Sequence, residues 1–204
     1  MKGFRDFSSS FFCIATYCFM FSYLSEKQIL LFLVGVLVHE AGHILCMLLL
    51  GVPLRGVHIT FGGIIIRGAF DTVPFFSEVL VHCSGAATNL LAFIFLYHFQ
   101  CHEAALVHAA IAVFNLLPLP EHDGYRALFA LAHCMKNTSS LLYGLWLVSM
   151  GVRMLLAVFS AWLFWFGAMH DPLGTTMIYG SLFFSVVLNI GCYARQEGKF
   201  GNET

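Results

Sequence analysis

Six stretches of the chain are apolar almost without interruption, and polar residues gather between them. They run from about Phe7 to Leu24, Ile29 to Leu50, Phe76 to Phe99, Ala104 to Leu117, Leu141 to Ala168 and Thr176 to Ala194. A membrane-spanning helix needs about 20 apolar residues, within a range of about 17–25. The second, third and sixth stretches meet that length, and the fifth is long enough to cross with a tilt. The fourth is short and ends in Asn115-Leu-Leu-Pro-Leu-Pro120, so it is expected to stop inside the membrane or to break at Pro118. The first follows Lys2 and Arg5 as a signal peptide would, yet no small-x-small cleavage site comes after it, and it is read as a retained helix. Between the second and third stretches the pattern changes to β-branched runs on either side of Gly62-Gly63. That predicts a hairpin with strands of about Val57–Phe61 and Ile64–Arg67. No long linker, repeat or low-complexity stretch interrupts the chain, and one membrane-embedded domain, 1–204, is expected.

Composition agrees with lipid as the solvent. Of 204 residues 59% are hydrophobic and 10% charged, with mean hydropathy +0.83. A soluble domain carries about 25% charged residues, so this chain lacks the polar surface to cover a globule in water. The net charge of -1 gives no reason to expect a nucleic-acid partner. Seven cysteines lie mostly inside apolar runs and form no CxxC pair, so they read as small buried residues rather than disulfides or thiolate ligands. Basic residues orient the helices. With six crossings Lys2, Arg5, Arg55, Arg67, Arg126, Lys136, Arg195 and Lys199 share one side and Lys27 stands alone on the other, Arg153 lying within a helix. The positive-inside rule then puts both termini in the cytoplasm. The expected fold is an all-α polytopic protein of the cell membrane, with about six transmembrane helices and a small cytoplasmic-side β-hairpin.

The second stretch holds His39-Glu40-Ala41-Gly42-His43 in its middle. Residues four apart share a helix face, so the two imidazoles can reach one ion. Glu40, about 100° around, can hold a water beside it. This is the HExxH arrangement of two zinc ligands and a general base. Chance would produce the pattern about 0.02 times in a chain of this composition. The structural alternative is also costly, because ionisable groups inside a membrane helix are expensive unless paired or facing a wet cavity. A catalytic zinc takes three protein ligands and leaves a position for water. Three residues after Pro120 could supply the third: Glu121, His122 and Asp123. Asp123 is favoured because a carboxylate adds charge to a dicationic site and Gly124 lets the chain turn after it; otherwise it is a loop acid capping the next helix.

His39-Glu40-x-x-His43, followed some 80 residues later by Asn115-x-x-Pro118-x-Pro120-x-x-Asp123-Gly124, resembles the site-2 protease family of intramembrane zinc metalloproteases. The compact form looks most like the bacterial sporulation branch that processes a pro-sigma factor. The resemblance implies that His39, His43 and Asp123 hold one Zn2+ per chain and that Glu40 is the catalytic base. It departs at the third ligand, where His122-Asp123-Gly124-Tyr125 stands in place of Leu-Asp-Gly-Gly. With ten residues after Ala194, the sporulation branch's C-terminal nucleotide-sensing domain is expected to be absent.

Two further stretches gain meaning from this. In "HCSGAATNLLAF", Gly85 and Asn89 lie four apart, and the stretch resembles the family's third-helix motif, whose polar group faces the zinc. Asn89 is therefore a candidate catalytic donor to the developing oxyanion, an interaction worth about 2.7–4 kcal/mol elsewhere, or else a structural interhelical hydrogen bond. Asn115 carries the same two readings. The hairpin edge could receive an extended substrate strand or be a plain interfacial ribbon. His58, His82, His98, His102, His108, His133 and His170 lack ligand spacing and read as structural or surface residues.

The sequence thus points to a membrane zinc endopeptidase (HExxH type) for regulated intramembrane proteolysis. Its expected partners are a membrane-associated protein substrate, the lipid bilayer and a regulatory membrane protein. The rivals are a metal transporter or sensor using the same ligands, and an inactive relative. Transport would want ionisable groups along the membrane depth, which the last two apolar stretches offer sparingly. Inactivity would predict a lost ligand or base.

Overall fold

A computed structural model describes residues 25–60, 63–70, 73–119, 122–135 and 138–170. The expected first and sixth membrane segments, with Phe61, Gly62, Pro120 and Glu121, lie outside the described residues. Among the described residues five helices and two strands follow in chain order: α1 (Glu26–Leu49), β1 (Leu54–Thr60), β2 (Gly63–Gly68), α2 (Phe75–His98), α3 (His102–Leu116), α4 (Asp123–His133) and α5 (Thr138–His170). The chain divides into two compact units, Glu26–Ser149 and a second formed by Met1–Ser25 with Met150–Thr204.

Helices dominate because backbone groups in lipid must be satisfied within their own segment. Among the described residues three helices are long and apolar enough to cross a membrane: α1, α2 and the Thr138–Trp162 part of α5. At 1.5 Å per residue, the 24 residues of α1 reach about 36 Å, ample for a hydrocarbon core of about 30 Å. α3 is also apolar, but its 15 residues reach only about 22 Å. Leu30, Leu37, Leu48, Leu91, Phe95 and Leu106 are exposed on these helices. An apolar surface of that extent marks a membrane protein.

Within Glu26–Ser149, α2 is central and packs against α1, α3 and α4, while α3 also touches α1 and α4. The facing stripes are built from small or polar residues. α1 buries Gly35, His39, Gly42, His43 and Met47, and α2 buries Ser77, Val81, Gly85, Ala86 and Asn89. Small side chains let membrane helices approach closely, where van der Waals contact and hydrogen bonds hold them. A Cβ on Gly42 would sit 3.0 Å from the Ser84 carbonyl oxygen and collide with the Thr88 hydroxyl.

α1 ends in a Schellman motif. Gly51 has φ +65°, its N–H donates to the Leu48 carbonyl, and the Val52 N–H reaches back to Met47 O at 2.9 Å. Val52 thereby packs on Met47 and Val81 in a small apolar cluster. The chain leaves this cap as a ribbon. β1 and β2 pair antiparallel from Leu54↔Gly68 to Thr60↔Gly63, with an irregularity between Leu54 and Gly56. The strands extend past the predicted Val57–Phe61 and Ile64–Arg67 at their outer ends. α2 passes to α3 through a tight turn in which Gln100 takes φ 61°.

Candidate metal centre

Two elements bring three donors to one point. α1 presents His39 and His43 one turn apart, and α4 opens with Asp123. Asp123 Oδ2 lies 2.8 Å from His39 Nε2 and 3.0 Å from His43 Nε2, and the two Nε2 atoms are 3.2 Å apart. All three residues are less than 9% exposed. Among the described residues this is the group of histidine, cysteine and acidic side chains able to share a metal ion.

Asp123 reaches this depth because Pro118 stops α3 and the chain turns at once. The His122 N–H donates to Leu119 O at 3.0 Å and α4 begins one residue later. Gly124 then packs directly on the backbone of Leu116, where a Cβ would be 2.6 Å from the carbonyl carbon. A side chain at 124 would push α4, and Asp123 with it, away from α1. The His122 ring turns elsewhere, edge-on to Phe114 with centroids 4.6 Å apart. Of the two described candidates for third ligand, His122 and Asp123, Asp123 is thus the one set beside both imidazoles.

Each imidazole is held from behind. His43 Nδ1–H donates to the Val81 carbonyl at 2.7 Å, and Ser84 Oγ also donates to that carbonyl. With its Nδ1 proton committed to that carbonyl, His43 turns Nε2 toward Asp123. His39 Nδ1 faces the Asn89 carboxamide at 3.4 Å, and the other end of that carboxamide meets His108 Nδ1 at 2.8 Å. Asn89 is fully buried. It therefore sits behind His39, at the ring nitrogen opposite the one turned to Asp123. His108 is buried as well; spacing alone gave it no role. Its signal was the cost of an imidazole in the middle of an apolar helix. Asn115 donates its amide to Ile111 O on its own helix at 3.0 Å. Glu40 is half-buried beside the cluster, within electrostatic reach of His43, His39, Asp123 and Arg126.

The donor set suits zinc. Two imidazoles and a carboxylate are the ligands of a catalytic site with an open position. A carboxylate oxygen and an imidazole lone pair 3.0 Å apart repel unless a cation or proton lies between them. Donors about 2.0–2.1 Å from a tetrahedral zinc stand about 3.3–3.4 Å apart, and the three here are a few tenths of an ångström tighter. Space comes from α2 at Gly85, where a Cβ would sit 2.7 Å from His39 Nε2 and collide with His43 Nε2. The outer hydrogen bond from His43 Nδ1–H to Val81 O is of the kind that orients metal-bound histidines.

No protein-family model matches the sequence, and no curated protein matches it. Among solved structures, the site-2 protease from Methanocaldococcus jannaschii is similar, with a TM-score of 0.52 over 90% of this chain and 88% of that one. The aligned residues are 16% identical, so the likeness is one of fold.

Proposed function

We propose that the chain is an intramembrane zinc metalloendopeptidase that cuts a membrane-embedded or membrane-adjacent peptide near the cytoplasmic face. The observation that carries this reading is the convergence of His39, His43 and Asp123 beside Glu40, within apolar helices folded like a site-2 protease. His39, His43 and Asp123 would hold one zinc ion. When bound, the ion supplies a Lewis acid for the scissile carbonyl and lowers the pKa of a water to about 7. Glu40 takes the proton from the attacking water and returns it to the leaving nitrogen. Asn89 is already engaged by His39 and His108, which supports a part in holding His39 over direct contact with the oxyanion.

The substrate segment must be extended at the point of cleavage, since helical carbonyls are shielded by their own hydrogen bonds. The open edge of the β1–β2 ribbon is suited to add such a strand. The charge bias favours six crossings with cytoplasmic termini, and residues 1–204 are read as one protease domain. The compact form and the paired motifs suggest the sporulation branch, with a regulatory membrane protein as further partner.

The test is zinc content and cleavage of a membrane-tethered candidate peptide by the purified wild type and Glu40→Gln. Glu40→Gln removes the base and no ligand, so the variant should keep about one zinc per chain and lose turnover by at least about 100-fold. Near wild-type cleavage by Glu40→Gln would refute the mechanism.

A further inference from the structure

The row His39–Asn89–His108 crosses three helices, with one member on each of α1, α2 and α3. All three side chains are buried, Asn89 completely. A buried carboxamide must find a donor for its oxygen and an acceptor for its N–H, or it carries the full cost of a lost hydrogen bond. In the structure the Asn89 oxygen accepts from His108 Nδ1–H and the Asn89 N–H2 points to His39 Nδ1. His39 Nδ1 is then the acceptor, and the one proton of its neutral ring is on Nε2, where it donates to Asp123 at 2.8 Å.

That arrangement puts a proton where a cation would bind. A cation between His39 and Asp123 needs the lone pair of His39 Nε2, so the ring's proton must then be on Nδ1. Asn89 can accept that proton only by turning its oxygen toward His39, which turns its N–H2 toward His108 Nδ1. His108 must in turn become an acceptor there. A neutral imidazole can do so, because it holds one donor and one acceptor and exchanges them by changing tautomer. A donor-only or apolar residue at 108 could not serve both states.

We propose that His108 is a positioning residue for the metal ligand His39, acting through an Asn89 carboxamide that reverses when the cation binds. On binding, the proton of His39 moves from Nε2 to Nδ1 and that of His108 from Nδ1 to Nε2. Each ring holds one proton before and after, so the pair takes up and releases none. The inference rests on the metalloprotease reading for the cation between His39 and Asp123, and it adds the outer residue that fixes the ligand's tautomer.

The experiment is 15N NMR of the histidine-labelled full chain in detergent micelles, before and after one equivalent of Zn2+. His108 is assigned by the signal lost in His108→Asn. The expected result is His108 protonated at Nδ1 without zinc and at Nε2 with it, while His39 gains Nδ1–H. A His108 that keeps one tautomer in both states overturns the proposal. Chelator competition supplies the second reading. His108→Leu should weaken zinc binding by about 10- to 100-fold, and His108→Asn, which keeps a reversible donor and acceptor near the place of Nδ1, should restore most of the affinity. Equal affinity of His108→Leu and wild type overturns the relay, and so does a His108→Asn as weak as His108→Leu. If His108→Leu fails to fold, the spectra of the wild type decide alone. None of these readings uses a substrate. A chain that binds zinc, loses cleavage in Glu40→Gln and keeps His108 in one tautomer has lost the relay and kept the protease; a wild type that binds no zinc loses both.

Discussion

At Gly85 the space for the site is set by a single missing methyl group. A Cβ there would lie 2.7 Å from His39 Nε2 and press on His43 Nε2, both of which are turned to Asp123. Gly85→Ala should therefore fold, since alanine is the better helix former, yet weaken zinc binding by about 10-fold or more in chelator competition. Wild-type affinity in that variant would show that α2 does not border the metal. Asp123 is separable from its neighbour in the same way. Asp123→Asn should lose zinc and cleavage together, whereas His122→Ala should keep zinc, because the His122 ring rests on Phe114. If His122→Ala empties the site and Asp123→Asn does not, the ligand set is three histidines. The pairing of His39 with His43 was legible in the sequence because helical spacing alone puts them on one face. The third member of the cluster was not fixed by spacing, because three polar residues follow Pro120 and the point at which α4 starts is what separates Asp123 from His122. His108 showed only as a costly imidazole in an apolar helix: its partner Asn89 lies on another helix, and no local pattern connects the two.

Elements end where single residues accept an uncommon backbone. Gly51 takes φ +65° at the cap of α1 and lets Val52 pack on Met47 and Val81. Val81 in turn supplies the carbonyl that fixes His43, so the cap is joined to the site through the apolar cluster. Gly51→Ala should cost about 1 kcal/mol of stability, because an L side chain pays for φ > 0. Gln100 takes φ 61° without that freedom in the turn between α2 and α3. Gln100→Gly should gain up to about 1 kcal/mol. Both are read from unfolding midpoints in mixed micelles, and equal midpoints in the two variants and wild type would remove the argument from caps. The long helices were legible from hydropathy, since uninterrupted apolar length is a strong pattern. The lengths of the shorter elements were not. α3 stops at Leu116 and α4 starts at Asp123 because of Pro118 and the approach of Gly124 to Leu116, a contact between neighbouring helices that hydropathy does not encode. The outer ends of the ribbon were hidden too, because Leu54 and Gly68 pair across an irregularity that alternation does not predict.

For the whole molecule, the question is which face of the membrane the site serves. The fold likeness spans 90% of the chain at 16% identity. The fold thus tolerates a different side chain at most of its aligned positions. Orientation depends on the sum of a few charges. His43 lies six residues before the end of α1 at Leu49, so it sits about 9 Å from that end of the helix. The Leu49 end leads into the ribbon that holds Arg55 and Arg67, whereas the other end carries Lys27, which meets Glu103 on α3 at 2.6 Å. That ion pair is exposed on both sides and holds little energy of its own; it does place the start of α1 and the start of α3 at the same face. The bias of basic residues toward the ribbon side then predicts that the ribbon and the shallow side of the metal centre face the cytoplasm. Single cysteines at Arg55 and at Glu103, in a chain with its other cysteines replaced, should answer it. The one at 55 should resist an impermeant thiol reagent in intact cells and react after lysis; the one at 103 should react in both. Labelling of position 55 from outside would reverse the orientation and place cleavage at the opposite face of the membrane.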